Sequence, residues 1–224
     1  MTLTTQAWTS LVVLAVAVAA VIFVAAGTVH YWEAWMYLVV FVGASAFITA
    51  DLSKRDPELL SRRMRGGPTA EQETTQRVIM IFASLAFAAL LVMPALDRRL
   101  HWSSVPTAVV LAGDVLVLIG FSFIGRVYRE NTFTAAIIRV ESGQQVISTG
   151  PYAIVRHPMY ASALLYLIGT PLALGSYVGL IAFVVMVATL IWRLLDEERV
   201  LMRDLPGYTE YMARVRSRLV PHVW

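Results

Sequence analysis

The chain has 224 residues, of which 58% are apolar and only 15% charged, with a mean hydropathy of +0.67 and a formal net charge of +3. A soluble domain carries about 25% charged residues, so this composition points to an integral membrane protein. The absence of cysteine excludes disulfides, thiolate metal sites and a cysteine nucleophile, and the four scattered histidines show no zinc-ligand spacing.

Continuous apolar runs long enough for a bilayer core, roughly 20 helical residues each, predict helices rather than an alternating barrel. Six spans are expected, over about Thr9–Val29, Tyr31–Ala50, Arg77–Leu96, Val105–Gly125, Pro158–Leu174 and Tyr177–Leu195. The first resembles a signal peptide at Ala25-Ala26-Gly27. It lacks a basic n-region and its apolar run is too long, so it reads as a retained span. Polar segments follow the second span (Asp51–Gln76) and the fourth (Arg126–His157), and a charged tail ends at Trp224. Placing these three regions in the cytoplasm leaves only Arg98 and Arg99 outside, which predicts an N-in, C-in topology. Arg62, Arg63 and Arg65 read first as snorkelling contacts to anionic headgroups. Asp114 lies within the fourth span and reads as a helix-pairing group. The expected fold is thus all-α: a single polytopic membrane domain over residues 1–224, with N-terminal spans in 1–104 and a cofactor-binding half in 105–224.

Three clusters can carry chemistry. In Gly150-Pro151-Tyr152-Ala153-Ile154-Val155-Arg156-His157-Pro158-Met159-Tyr160, Gly-Pro enforces a turn and Pro158 suits the first turn of a helix. Arg156 and His157 then stand at a helix N-terminus that favours an anion. The same residues also suit an interfacial anchor, with Tyr152 and Tyr160 in an aromatic belt. In the second cluster, Arg193 and Glu197 share a helix face and continue into Glu198 and Arg199. These acids either form a salt-bridge ladder or bind ribose hydroxyls or a cationic group. The tight turn Gly175-Ser176 makes the last two spans a hairpin, which brings Arg156-His157 and Glu197-Glu198 to one membrane face. In the third, Leu205, Tyr208, Met212 and Val215 recur at helical spacing, predicting a short amphipathic helix that lies on the membrane or folds over the hairpin.

Together, Gly150-Pro151-Tyr152, Arg156-His157-Pro158-x-Tyr160, Arg193, Glu197-Glu198-x-x-Leu201 and Gly207-Tyr208-x-x-Tyr211 resemble the isoprenylcysteine carboxyl methyltransferase family, related to phospholipid N-methyltransferases. The resemblance covers about the last hundred residues, and Asn131-Thr132-Phe133 looks like bacterial members. It implies an S-adenosylmethionine-dependent methyltransferase without a Rossmann domain, in the inner (plasma) membrane with its site facing the cytoplasm. Tyr152, Val155, Arg156, His157, Pro158 and Tyr160 would line the cofactor site. Glu197 and Glu198 would close it, and Arg193 would face the acceptor carboxylate, with Glu197 and Arg193 as the catalytic pair. The partners implied are membrane lipids and a lipophilic or lipidated acceptor entering from the bilayer; no nucleic acid and no metal is expected. The family's eukaryotic enzymes act on prenylated C-terminal cysteines. Phospholipid N-methylation, thiol S-methylation, a sterol-reductase-like NADPH enzyme and a small membrane scaffold are the alternatives.

Overall fold

The computed structural model describes residues 1–224 apart from 68, 72, 135 and 139–142. The described residues form helices and loops without strands: α1 (Leu3–Ala26), α2 (Trp32–Arg55), α3 (Pro57–Met64), α4 (Thr74–Leu100), α5 (Thr107–Glu130), α6 (Pro158–Ala173), α7 (Gly179–Asp204) and α8 (Tyr208–Arg214). The chain is a polytopic helical membrane protein. Five helices, α1, α2, α4, α5 and α7, are long and apolar enough to cross a bilayer.

The fifth expected span departs from this pattern. Helix α6 has 16 residues, and at about 1.5 Å per residue it is shorter than a hydrocarbon core of about 30 Å. Proline sets its start at Pro158, and the chain reverses at Gly175, whose φ of +68° is a left-handed conformation natural to glycine. By contrast, α7 continues two turns beyond the expected end of the span and carries Asp196, Glu197 and Glu198 on the helix, as the shared face of Arg193 and Glu197 implied.

Helices α5 and α6 pack backbone to backbone. A Cβ on Gly113 would lie 2.3 Å from the Ala173 nitrogen, and one on Gly120 would lie 2.7 Å from the Tyr166 nitrogen. Small residues at such a seam let membrane helices approach where apolar burial gives no drive. Asp114 is buried beside this seam, but neither carboxylate oxygen has a partner among the described residues, so the pairing expected of it is not found there.

Polar contacts gather at the two ends of the bundle. At one end, Asp97 accepts from the Ser103 amide at 2.7 Å and from the Ser103 and Ser176 hydroxyls, while the Tyr31 hydroxyl donates to the Leu174 carbonyl. These contacts fasten the α4–α5 and α6–α7 turns to the start of α2. The opposite end holds the start of α1, α3, the loops after α3 and α5, and the C-terminal tail. There the helices enclose a cavity.

Candidate active site

The approach to α6 is built by local chain chemistry. Gly150, at φ +54°, opens a 3₁₀ turn (Gly150–Ala153) against Glu130 at the end of α5, where a Cβ would lie 2.6 Å from the carboxylate. Past this turn, the Arg156 and His157 amides donate to the Ser217 and Arg218 carbonyls at 2.9 and 3.0 Å. The C-terminal segment is thereby laid along the entry to α6. The α8 residues Tyr208 and Tyr211 pack with Leu205 into a small core with Val146 and Leu201, so the amphipathic helix folds inward onto the hairpin. The Tyr211 hydroxyl donates to the Tyr152 carbonyl at 2.7 Å.

Glu198 is the centre of the first ionic cluster. Its Oε1 accepts from Arg156 Nε at 2.7 Å and faces His157 Nε2 at 3.2 Å; its Oε2 accepts from Arg218 Nε at 3.0 Å. The Arg156 and Glu198 side chains are 5% and 3% exposed, so this is a buried pair. Arg156 Nη1 also donates to the Val215 and Arg216 carbonyls, both at 3.0 Å. One carboxylate thus joins α6, α7 and the tail.

Arg193 is the centre of the second. Its Nη2 donates to Glu71 Oε1 at 2.7 Å and to the Ala136 carbonyl at 3.1 Å; Nη1 donates to Gln76 Oε1 at 3.3 Å, and Nε to the Tyr160 hydroxyl at 3.2 Å. Glu71 is fully buried on its side chain and accepts the Ile138 amide on its other oxygen at 3.1 Å. The Tyr160 hydroxyl in turn donates to Glu197 Oε2 at 2.6 Å. Arg193 and Glu197 therefore communicate through a tyrosine from the neighbouring helix.

Between the two clusters lies a cavity of about 570 Å³. Tyr152, Arg156, His157, Pro158, Tyr160, Arg193 and Glu197, all singled out from sequence, stand in its wall. Val155 and Glu198 do not: both are buried behind it, Glu198 acting through the groups it holds. Sequence reasoning passed over Glu71 and Gln76, the 136–138 loop, Arg218 and the Tyr208 hydroxyl. It also read Arg62 and Arg63 as headgroup anchors. Arg62 donates to the Thr132 carbonyl at 2.7 Å, bracing the loop after α5, and Arg63 lies 5.3 Å from the Tyr128 ring in the cavity wall. Burial pushes the Tyr152, Tyr208 and Tyr211 phenols above their ordinary values, and the charges of Glu198 and Glu197 add to this at Tyr208.

Residues 108–206, which run from α5 to just past α7, match the family model described as phospholipid methyltransferase. The chain is 30% identical over 148 residues to protein-S-isoprenylcysteine O-methyltransferase B of Arabidopsis thaliana, covering 62% of this chain and 70% of that protein. It is 27% identical over 195 residues to a probable protein-S-isoprenylcysteine O-methyltransferase of Oryza sativa subsp. indica, covering 84% of this chain and 95% of that one. The chain belongs to the isoprenylcysteine carboxyl methyltransferase family.

Membership makes it a membrane methyltransferase and sets aside the scaffold and reductase readings. The region matched by the family model holds Arg156, His157, Tyr160, Arg193, Glu197 and Glu198, the groups that meet at one end of the methyltransferase bundle. Glu71 and Tyr208 lie outside it on either side.

Proposed function

We propose that the cavity binds S-adenosylmethionine and that its methyl group passes to the carboxylate of a lipophilic, isoprenylcysteine-like acceptor entering from the bilayer. The observation that carries this reading is the cavity itself. At about 570 Å³ it falls in the range of sites for small organic ligands, and it joins apolar walls to convergent polar groups. The polar groups fit the methyl donor: Glu197 has one oxygen, Oε1, without a partner among the described residues, suited to an ammonium group. Tyr152, Val155, Arg156, His157, Pro158 and Tyr160 form or back the donor-binding wall, with Glu198 holding Arg156 and His157 in place.

S-adenosylmethionine supplies an electrophilic methyl group on a sulfonium with a good leaving group. The protein's task is to align the acceptor oxygen and exclude water. A carboxylate acceptor is already ionised at neutral pH, so no residue needs to remove a proton. Arg193 faces the cavity with one Nη1 N–H uncommitted among the described residues and offers it to the acceptor carboxylate. Its Nε orients the Tyr160 hydroxyl, which fixes Glu197. The N-terminal spans, residues 1–104, shape the acceptor side; residues 105–224 bind the donor. Under the same reading α6 completes a sixth crossing, both termini lie in the cytoplasm, and the site faces the cytoplasm from the inner (plasma) membrane.

Calorimetry on purified protein in lipid nanodiscs tests the reading. Micromolar S-adenosylmethionine binding and label transfer to a farnesylcysteine are expected, with a lower rate on phospholipid amines and thiols. Folded protein that binds no S-adenosylmethionine would overturn it.

A further inference from the structure

Tyr208 is 4% exposed and stands in the cavity wall, yet its hydroxyl has no hydrogen-bond partner among the described residues. A buried hydroxyl left unsatisfied keeps its desolvation cost, so such a group in a cavity wall is suited to an acceptor on a ligand. Its neighbours define the kind of ligand. Arg156 and Arg218 converge on the single carboxylate of Glu198, so that cluster retains an excess positive charge. The first turn of α6 stands in the same wall through Pro158, Met159 and Tyr160. His157 provides no side-chain cap there, and the Met159 and Tyr160 amides have no backbone acceptor among the described residues. Uncapped amides at the positive end of a helix favour an anion. A protonated phenol can complete that site only as a donor.

Glu197 Oε1 supplies the opposite polarity in the same cavity. A donor hydroxyl and helix amides, with a carboxylate oxygen in the same cavity, complement a zwitterionic amino-acid group. Resting on the proposed donor reading, we infer that Tyr208 is a further binding residue, its hydroxyl donating to the α-carboxylate of S-adenosylmethionine while Glu197 takes the ammonium.

Tyr208→Phe removes only the oxygen and leaves the ring packed on Tyr211 and Leu205. Calorimetry with S-adenosylmethionine and with decarboxylated S-adenosylmethionine, on wild type and variant, closes a thermodynamic cycle. The variant should bind the intact donor about ten-fold more weakly, the loss of one hydrogen bond to a charged group. Both proteins should bind the decarboxylated donor equally. The ligand-free variant should also unfold at a higher temperature, because a buried orphan has been removed, which a purely structural tyrosine would not show. Unchanged affinity for the intact donor, or equal loss for both ligands, overturns the assignment while leaving the donor reading intact. A folded wild type that binds neither ligand overturns the donor reading and the assignment with it.

Discussion

The two guanidinium–carboxylate clusters beside the cavity are built alike and serve different joints. At Glu198, one carboxylate gathers Arg156, His157 and Arg218, all from the closing hairpin and the tail. At Arg193, one guanidinium gathers Glu71, Gln76, Ala136 and Tyr160, which come from the α3–α4 loop, α4, the α5–α6 loop and α6. The first cluster closes the C-terminal half on itself; the second ties the N-terminal half to it. The difference also shows what each charge is free to do. Glu198 is fully engaged and lies behind the wall, whereas Arg193 is in the wall with a neighbour, Glu197, whose second oxygen has no partner among the described residues.

Breaking the tighter cluster should have the largest effect. Glu198→Ala leaves two arginines without their shared carboxylate, one of them buried, and removal of one partner of a buried pair costs about 3–5 kcal/mol. The expected outcome is a marked fall in the unfolding midpoint in nanodiscs, with the tail from Val215 onward opened to protease. A midpoint close to wild type would mean that the tail is held by its backbone bonds at Arg156 and His157 rather than by charge.

Glu71→Ala should cost less, about 2–3 kcal/mol, because Arg193 keeps the Gln76 side chain, the Ala136 carbonyl and the Tyr160 hydroxyl as neutral acceptors. Its functional signature should differ too. Affinity for S-adenosylmethionine is expected to stay within about two-fold of wild type, since the Glu198 cluster is untouched, while the acceptor KM rises. Glu71→Gln keeps an acceptor for the Ile138 amide and should recover part of the stability. Equal losses of donor and acceptor binding in Glu71→Ala would show the two clusters to be one cooperative unit.

The sequence exposed these clusters unequally, for physical reasons. The first is local to a hairpin: a tight turn at Gly175 and two apolar helices suffice to bring Arg156 opposite Glu198, and both lie in dense polar motifs. The helical register likewise put Arg193 and Glu197 on one face, although the contact between them runs through Tyr160, which only the α6–α7 packing reveals. Glu71 carried no local signal. It sits in an arginine-rich segment that suits headgroups equally well, and its partner is 122 residues away in the chain. Buried polarity of that kind arises from how loops fold over a cavity, and no periodicity encodes it. Composition alone revealed the apolar spans, but not the true length of α6, which proline and a left-handed glycine set at its two ends.

The smallest structural change tests the sharpest part of the comparison. Glu197→Gln keeps the shape of the side chain and an acceptor for the Tyr160 hydroxyl, and removes only the charge. If the carboxylate were one more strut, as Glu198 is, neutralising it would loosen the fold. Glu197 makes no direct ion pair among the described residues, so its stability should stay within about 0.5 kcal/mol of wild type. The charge matters most when an ammonium arrives, and losing a charged hydrogen bond there should weaken S-adenosylmethionine binding by about ten-fold. A stable protein with weakened donor binding places Glu197 on the ligand side of a boundary that Glu198, one residue further along the helix, does not cross. A destabilised variant with donor affinity retained would put both glutamates in the scaffold and leave the ammonium to another group.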